Sequence, residues 1–187
     1  SACLGGEIPA LLLQNRYEDA KKTALQYQTM LGKDNFFLEL QDNGIPEQEI
    51  VNRELIKLST DAGIPVVATN DCHYLDMQDH KAHDALLCIQ TGKVVKDANR
   101  MRFSSETFYM KTPDEMKKSF SYIPEAITNT VKIAERCNLE IELGRFHLPH
   151  FPVPDGYTVE TWLRAECERG LERRYGTVTE ELRQRLD

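Results

Sequence analysis

Apolar side chains recur along this chain at two spacings, one helical and one extended, and the two alternate over its first part. Glu7 to Leu13 predicts a short helix with Pro9 in its first turn. Tyr17 to Leu31 predicts a longer one, with Ala20, Ala24, Tyr27 and Leu31 at helical spacing and Gly32 as its end. Asn35 to Leu40 is aromatic and apolar enough for a buried strand, closed by the turn residues Asp42, Asn43 and Gly44. Pro46 to Ala62 then carries Ile50, Val51, Leu55 and Leu58 on a helical repeat. Gly63 stops that helix, and Ile64 to Val67 reads as a short strand buried on both faces. Strand, helix, strand with short connections is the unit of a parallel sheet with a right-handed crossover, so the expected fold class is α/β.

The second part of the chain is more helical. A helix is expected from Met77 or Asp79 to Ile89, with Leu86, Leu87 and Ile89 on its buried side. His80 and Asp84 stand one turn apart there, a spacing open to a metal pair, with a solvated helix face as the favoured reading. A loop from Gln90 to Ser105 and a strand from Thr107 to Met110 follow. Thr112-Pro113-Asp114-Glu115 has the syntax of a helix start, with a capping hydroxyl, proline at the first position and acids in the first turn. The same syntax at Pro124-Glu125 opens a helix to about Arg136. Prolines between Leu148 and Pro154 exclude regular helix and favour an extended linker. Helices beginning at Thr158 and Thr179 then enter a second domain. The expected organisation is one domain over 1–144, a linker over 145–157 and helices of a further domain over 158–187.

Chemistry concentrates after the second predicted strand, at Thr69-Asn70-Asp71-Cys72-His73-Tyr74. On an extended chain Asp71 and His73 project to one side and Cys72 to the other. A hard carboxylate oxygen and an imidazole nitrogen sharing one direction suit a divalent ion. In barrels of parallel strands, functional residues gather at this end of the strands. On spacing alone the plainer reading holds, with Asp71 capping the next helix and His73 a satisfied polar residue, because D-x-H arises often by chance.

Composition changes this picture in three ways. An apolar fraction of 41% and a charged fraction of 28% are those of an ordinary globular protein, and no run approaches the length of a membrane span. Five scattered cysteines without C-x-x-C spacing argue against a zinc ribbon or a disulfide framework and point to a reducing, cytoplasmic setting. A formal net charge of −7 gives the chain as a whole no electrostatic reason for tight, sequence-independent binding to DNA.

Several phrases in fixed order carry a family resemblance: Ser1-Ala2-Cys3-Leu4-Gly5-Gly6-Glu7-Ile8-Pro9, Phe37-Leu38-Glu39-Leu40-Gln41, Thr69 to Tyr74, His83 to Gly92 and Phe103-Ser104-Ser105. From Ser1 to about Gly176 the chain resembles the α subunits of bacterial replicative DNA polymerase III, over their PHP (polymerase and histidinol phosphatase) domain and the start of the polymerase body. The resemblance implies a distorted barrel of seven parallel strands, of which this chain is the later half, with 158–187 as the start of the polymerase core. It implies a metal centre, of zinc or manganese, with Cys3, Asp71 and His73 at ligand positions. The family's other ligands, an H-x-H pair among them, would lie upstream of Ser1, and half a barrel is expected to expose a sheet edge. Polymerisation, with its magnesium ions, is expected outside this stretch. The implied partners are DNA, a proofreading exonuclease subunit and other replicase subunits, with no membrane. The implied activities are DNA synthesis by the whole protein and phosphodiester hydrolysis, as a 3'-5' exonuclease, in the PHP domain. Two alternatives stand beside this: a free-standing PHP phosphoesterase, and a structural PHP domain that docks the exonuclease subunit.

Overall fold

Two short strands, β1 (Leu38–Gln41) and β2 (Val66–Thr69), pair in parallel, with Leu38 opposite Val66 and Gln41 opposite Thr69. The computed structural model describes all residues, 1–187, as two compact units, Ser1–Asn138 and Leu139–Asp187. In the first unit the elements run α1 (Glu7–Leu13), α2 (Tyr17–Leu31), β1, α3 (Pro46–Ala62), β2, a 3-10 turn (Met77–Asp79), α4 (His80–Thr91), α5 (Pro113–Ser119) and α6 (Pro124–Arg136). The architecture is α/β, as the alternating spacings predict.

The crossover helix α3 is set at both ends by backbone chemistry. Pro46 occupies its first turn, where a missing N–H costs nothing, and Gly63 ends it in the left-handed conformation at φ 64°. Between them Val51, Leu55 and Leu58 form one buried stripe and meet Leu38, Leu40, Val66 and Ala68 of the strands in a single core. Ile50, expected on that stripe, is exposed, because it precedes Val51 by one position and so turns away from it. α1 and α2 close the core with Ile8, Leu12, Ala20 and Ala24, the two alanines being small enough for close helix approach.

Neither edge of the strand pair is left bare. In a parallel ladder successive residues turn their hydrogen-bonding groups to opposite neighbours. The Leu38 N–H donates to the Pro65 carbonyl, so Phe37 and Glu39 face the other way. The Ser1 ammonium donates to the Phe37 carbonyl at 2.6 Å, and the Glu39 N–H donates to the Ser1 hydroxyl at 2.7 Å. On the far side of β2, α6 packs on the strand, and the buried Asn129 amide donates to the Val66 carbonyl at 2.7 Å. Ser1 and an α6 side chain thus bond to the outer edges of the strand pair.

Two expectations change. The segment 107–110 is not a strand; it touches the core through one parallel bridge between Tyr74 and Tyr109. The backbone is left-handed at Asp71, φ 51°, and this bend stops a ladder from running back toward β2. In α4 the buried residues are Leu87 and Cys88, while Leu86 and Ile89 are exposed. The Arg100–Asp84 ion pair ties the following loop to this helix.

The second unit, described by itself, holds α7 (Val159–Tyr175) and α8 (Glu180–Leu186), capped by the hydroxyls of Thr158 and Thr179. Arg164 bonds Glu168 at 3.1 Å and also Asp187, and Arg169 lies 4.6 Å over the Trp162 ring. No residue of this unit is buried.

Two outcomes follow. Leu55→Ala removes a fully buried side chain from the core; native-state hydrogen exchange on the full-length protein should show the β1 and β2 amides opening more easily by ~2–5 kcal/mol. At α5, Glu115 accepts hydrogen bonds from the Tyr109 hydroxyl and from Thr112, which hold its carboxyl down to about 2 from an ordinary 4.5. A folded-state value below the unfolded one means the contribution is whole above pH 4.5 and lost as the pH falls toward 2. Protection of the first α5 amides should fade over that window, and in Glu115→Gln it should lose this pH dependence.

Candidate functional site

Asp71 and His73 meet at the C-terminal end of β2, with Asp71 Oδ1 3.5 Å from His73 Nε2 and both side chains about one-third exposed, at 31% and 37%. They converge for a reason other than extended alternation. The left-handed turn at Asp71 bends the chain, and the His73 N–H is fixed to the Phe108 carbonyl at 2.8 Å. Aspartate tolerates that conformation better than most residues, because its short polar side chain finds local partners.

The turn is held from three directions. Buried Asn43, after β1, donates to the carbonyls of Asn70 at 3.0 Å and of Thr107 at 3.3 Å, while its own N–H and carbonyl oxygen are engaged by Gln48. The Asn70 amide donates to the Tyr109 carbonyl at 2.7 Å. The Lys111 ammonium donates to the Thr107 carbonyl at 2.7 Å and the Asn70 side-chain oxygen at 3.3 Å. Burial lowers the pKa of Lys111, opposed by the negative charges of Asp42, Glu115, Cys72 and Asp71 around it. The ends of both strands and the 107–111 loop thus form one polar frame around Asp71.

Aromatic rings form the other wall. Phe103 and Phe108 meet the His73 ring edge-on at 4.8 and 5.5 Å, and His83 lies 5.4 Å away. Burial, with His73 beside it, pushes the pKa of His83 down, which keeps that imidazole neutral. His80 and Asp84 are not a metal pair. Arg100 takes both oxygens of Asp84, at 2.5 and 2.8 Å, and His80 faces Glu106 at 3.2 Å.

Cys3 is exposed, in the turn between Ser1 and α1, where the Gly6 N–H donates to the Cys3 carbonyl at 2.7 Å. Gly6 is required there, since a β-carbon would lie 2.9 Å from that of Ala2. No three or more His, Cys, Asp or Glu side chains come together as a metal-holding group, so Cys3 does not join Asp71 and His73. The donor set in this chain is therefore two convergent ligands. That fits one wall of a zinc or manganese centre and is too few for a closed one.

A family model for the PHP domain matches residues 1–43. DNA polymerase III subunit alpha of Treponema pallidum is 42% identical over 100% of this chain, and that of Borreliella burgdorferi 41% over 99%. The Thermus aquaticus subunit is 40% identical over 94%. Over nearly its whole length the chain matches DNA polymerase III α subunits. It spans about 16% of the length of the first two of these relatives. Similarity extends through the second unit as well as the first, and the family members are named as polymerase subunits, which does not favour a free-standing phosphoesterase.

Sequence reasoning singled out Asp71 and His73 but missed Asn43, His83 and Lys111. Asn43 looked like turn punctuation, and its role depends on the close approach of two strand ends. Removing it, as Asn43→Ala, leaves the Asn70 carbonyl without a donor and the Thr107 carbonyl with Lys111 alone. In the full-length protein this should ease local opening of the 70–74 and 107–111 amides by ~1–3 kcal/mol, measured by hydrogen exchange.

Proposed function

We propose that this chain is the later part of the PHP domain, followed by the first helices of the polymerase body, in a replicative DNA polymerase α subunit whose nucleotidyl-transfer site lies in other segments. The observation that carries the reading is similarity along essentially the whole chain to polymerase α subunits of three organisms. On this reading β1 and β2 are neighbouring strands of a seven-stranded parallel barrel. DNA, a proofreading exonuclease subunit and other replicase subunits are the partners of the whole protein, in the cytoplasm. No helix here is long and apolar enough to cross a membrane.

Within that barrel Asp71 and His73 supply one wall of a metal centre. Cys3, which lies apart from this pair in the turn before α1, adds a soft ligand only together with donors from segments outside this chain, which complete the set. A divalent ion there supplies Lewis acidity for phosphodiester hydrolysis, and a thiolate among its ligands favours zinc or manganese over magnesium. This chain's own residues hold the frame. Asn43, Asn70 and Lys111 fix the turn that aims Asp71, and the His83, Phe103 and Phe108 rings shield the inner side of His73.

In the full-length protein, Asp71→Ala with His73→Ala should lower bound zinc or manganese, measured by elemental mass spectrometry. Metal-dependent nuclease activity should fall about tenfold or more, the loss expected when outer or direct ligands of a centre are removed. Nucleotide incorporation should stay near wild type. Unchanged metal content would remove the ligand assignment and leave the domain as a scaffold for the exonuclease subunit.

A further inference from the structure

A second cavity adjoins the Asp71–His73 pair, enclosing about 420 Å³ between the start of α4 and the loop that leads to Phe108. His83 lines it, and the His83 ring lies 5.4 Å from both His73 and Tyr74, so cavity and pair share a wall. Lys81, Arg102 and the Ser104 hydroxyl also face it.

The charges there do not cancel. Asp84 has both oxygens committed to Arg100, whose side chain is only 6% exposed, and Glu106 faces His80. Lys81 and Arg102 enter no ion pair, and Ser104 makes no side-chain hydrogen bond. Lys81, Arg100 and Arg102 against Asp84 and Glu106 leave this concave surface with one positive charge in excess, the Ser104 hydroxyl beside them, in a chain whose formal charge is −7. Such a group matches the oxygens of a phosphate diester.

The opposite side carries Tyr74 and Phe103. Cations that follow a backbone together with aromatic faces that receive bases are how single-stranded nucleic acid is held. A cavity of this volume also takes a nucleotide rather than a bare phosphate ion. We propose that this cavity is a binding subsite for single-stranded nucleic acid, with Lys81, Arg102 and Ser104 holding a backbone phosphate and Tyr74 and Phe103 receiving its base. The subsite seats a nucleotide flanking the phosphodiester presented to Asp71 and His73, and in that respect it rests on the function proposed above.

The test uses the full-length protein in EDTA with an oligothymidylate carrying 4-thiothymidine, cross-linked by light and mapped by mass spectrometry. Cross-links should fall within residues 74–106. Lys81→Gln with Arg102→Gln should cut their yield about tenfold at low salt and reduce the salt slope of that yield by roughly 0.7, the value for one single-strand phosphate no longer neutralised. Cross-links elsewhere, primer extension and metal content should be unchanged, since neither side chain bonds to Asp71, His73 or the residues that frame them. The proposal is overturned if wild type gives no cross-link in this segment or if the double variant retains it. Inorganic phosphate that abolishes the cross-link at a concentration equal to the oligonucleotide's would assign the cavity to free phosphate and overturn it as well. Asp71→Ala with His73→Ala should keep the cross-link while losing metal, so the subsite and the metal centre fail separately.

Discussion

The parallel register of β1 on β2 is the constraint from which the rest of the first unit follows. Parallel pairing sends both strands out of the core in the same direction, so Asp42, Asn43, Asn70 and Asp71 emerge side by side. The crossover must then be a helix long enough to return the chain, and α3 meets that demand with one buried stripe and a left-handed glycine at its end. A slip of one residue would turn Leu38 and Leu40 away from α3, which is why the pairing is fixed by burial rather than by any turn.

Polar chemistry at the strand ends is affordable only because the same register supplies partners. Asn43 is fully buried, yet its backbone N–H and both polar atoms of its side chain have partners, two of them carbonyls from loops far apart in sequence. Buried side-chain nitrogens and oxygens are all satisfied throughout the chain. Such a frame resists small displacements, since moving one strand end strands several donors at once. It can therefore hold Asp71 in a conformation that L residues visit seldom.

The helices, the two strands and the α/β class were legible because they rest on local signals: periodicity, proline at helix starts, threonine caps and glycine ends. The Asp71–His73 pair was legible for an incomplete reason, since alternation predicted a shared side while the chain reaches it through a bend. What stayed hidden depends on contacts between distant segments. Leu86 and Ile89 lie on an apolar face of α4, yet Leu87 and Cys88 are the residues buried, and the contact of Asp84 with Arg100, sixteen residues on, had no local signal either. The polar stitches on the two sheet edges, Ser1 on β1 and Asn129 on β2, have no sequence signature at all.

A distributed donor set and a local frame answer different physical demands. Ligands drawn from several strand ends can converge only when a sheet curves around them, so no short segment can carry a whole centre. Aiming each ligand, by contrast, requires neighbours within hydrogen-bond reach, and here they come from three separate parts of this chain. Asp71 and His73 meet the second condition within this chain, through Asn43, Asn70, Lys111 and the Phe108 carbonyl. The orientation of this donor pair is thus built within this chain, so the pair does not need an ion to draw it together.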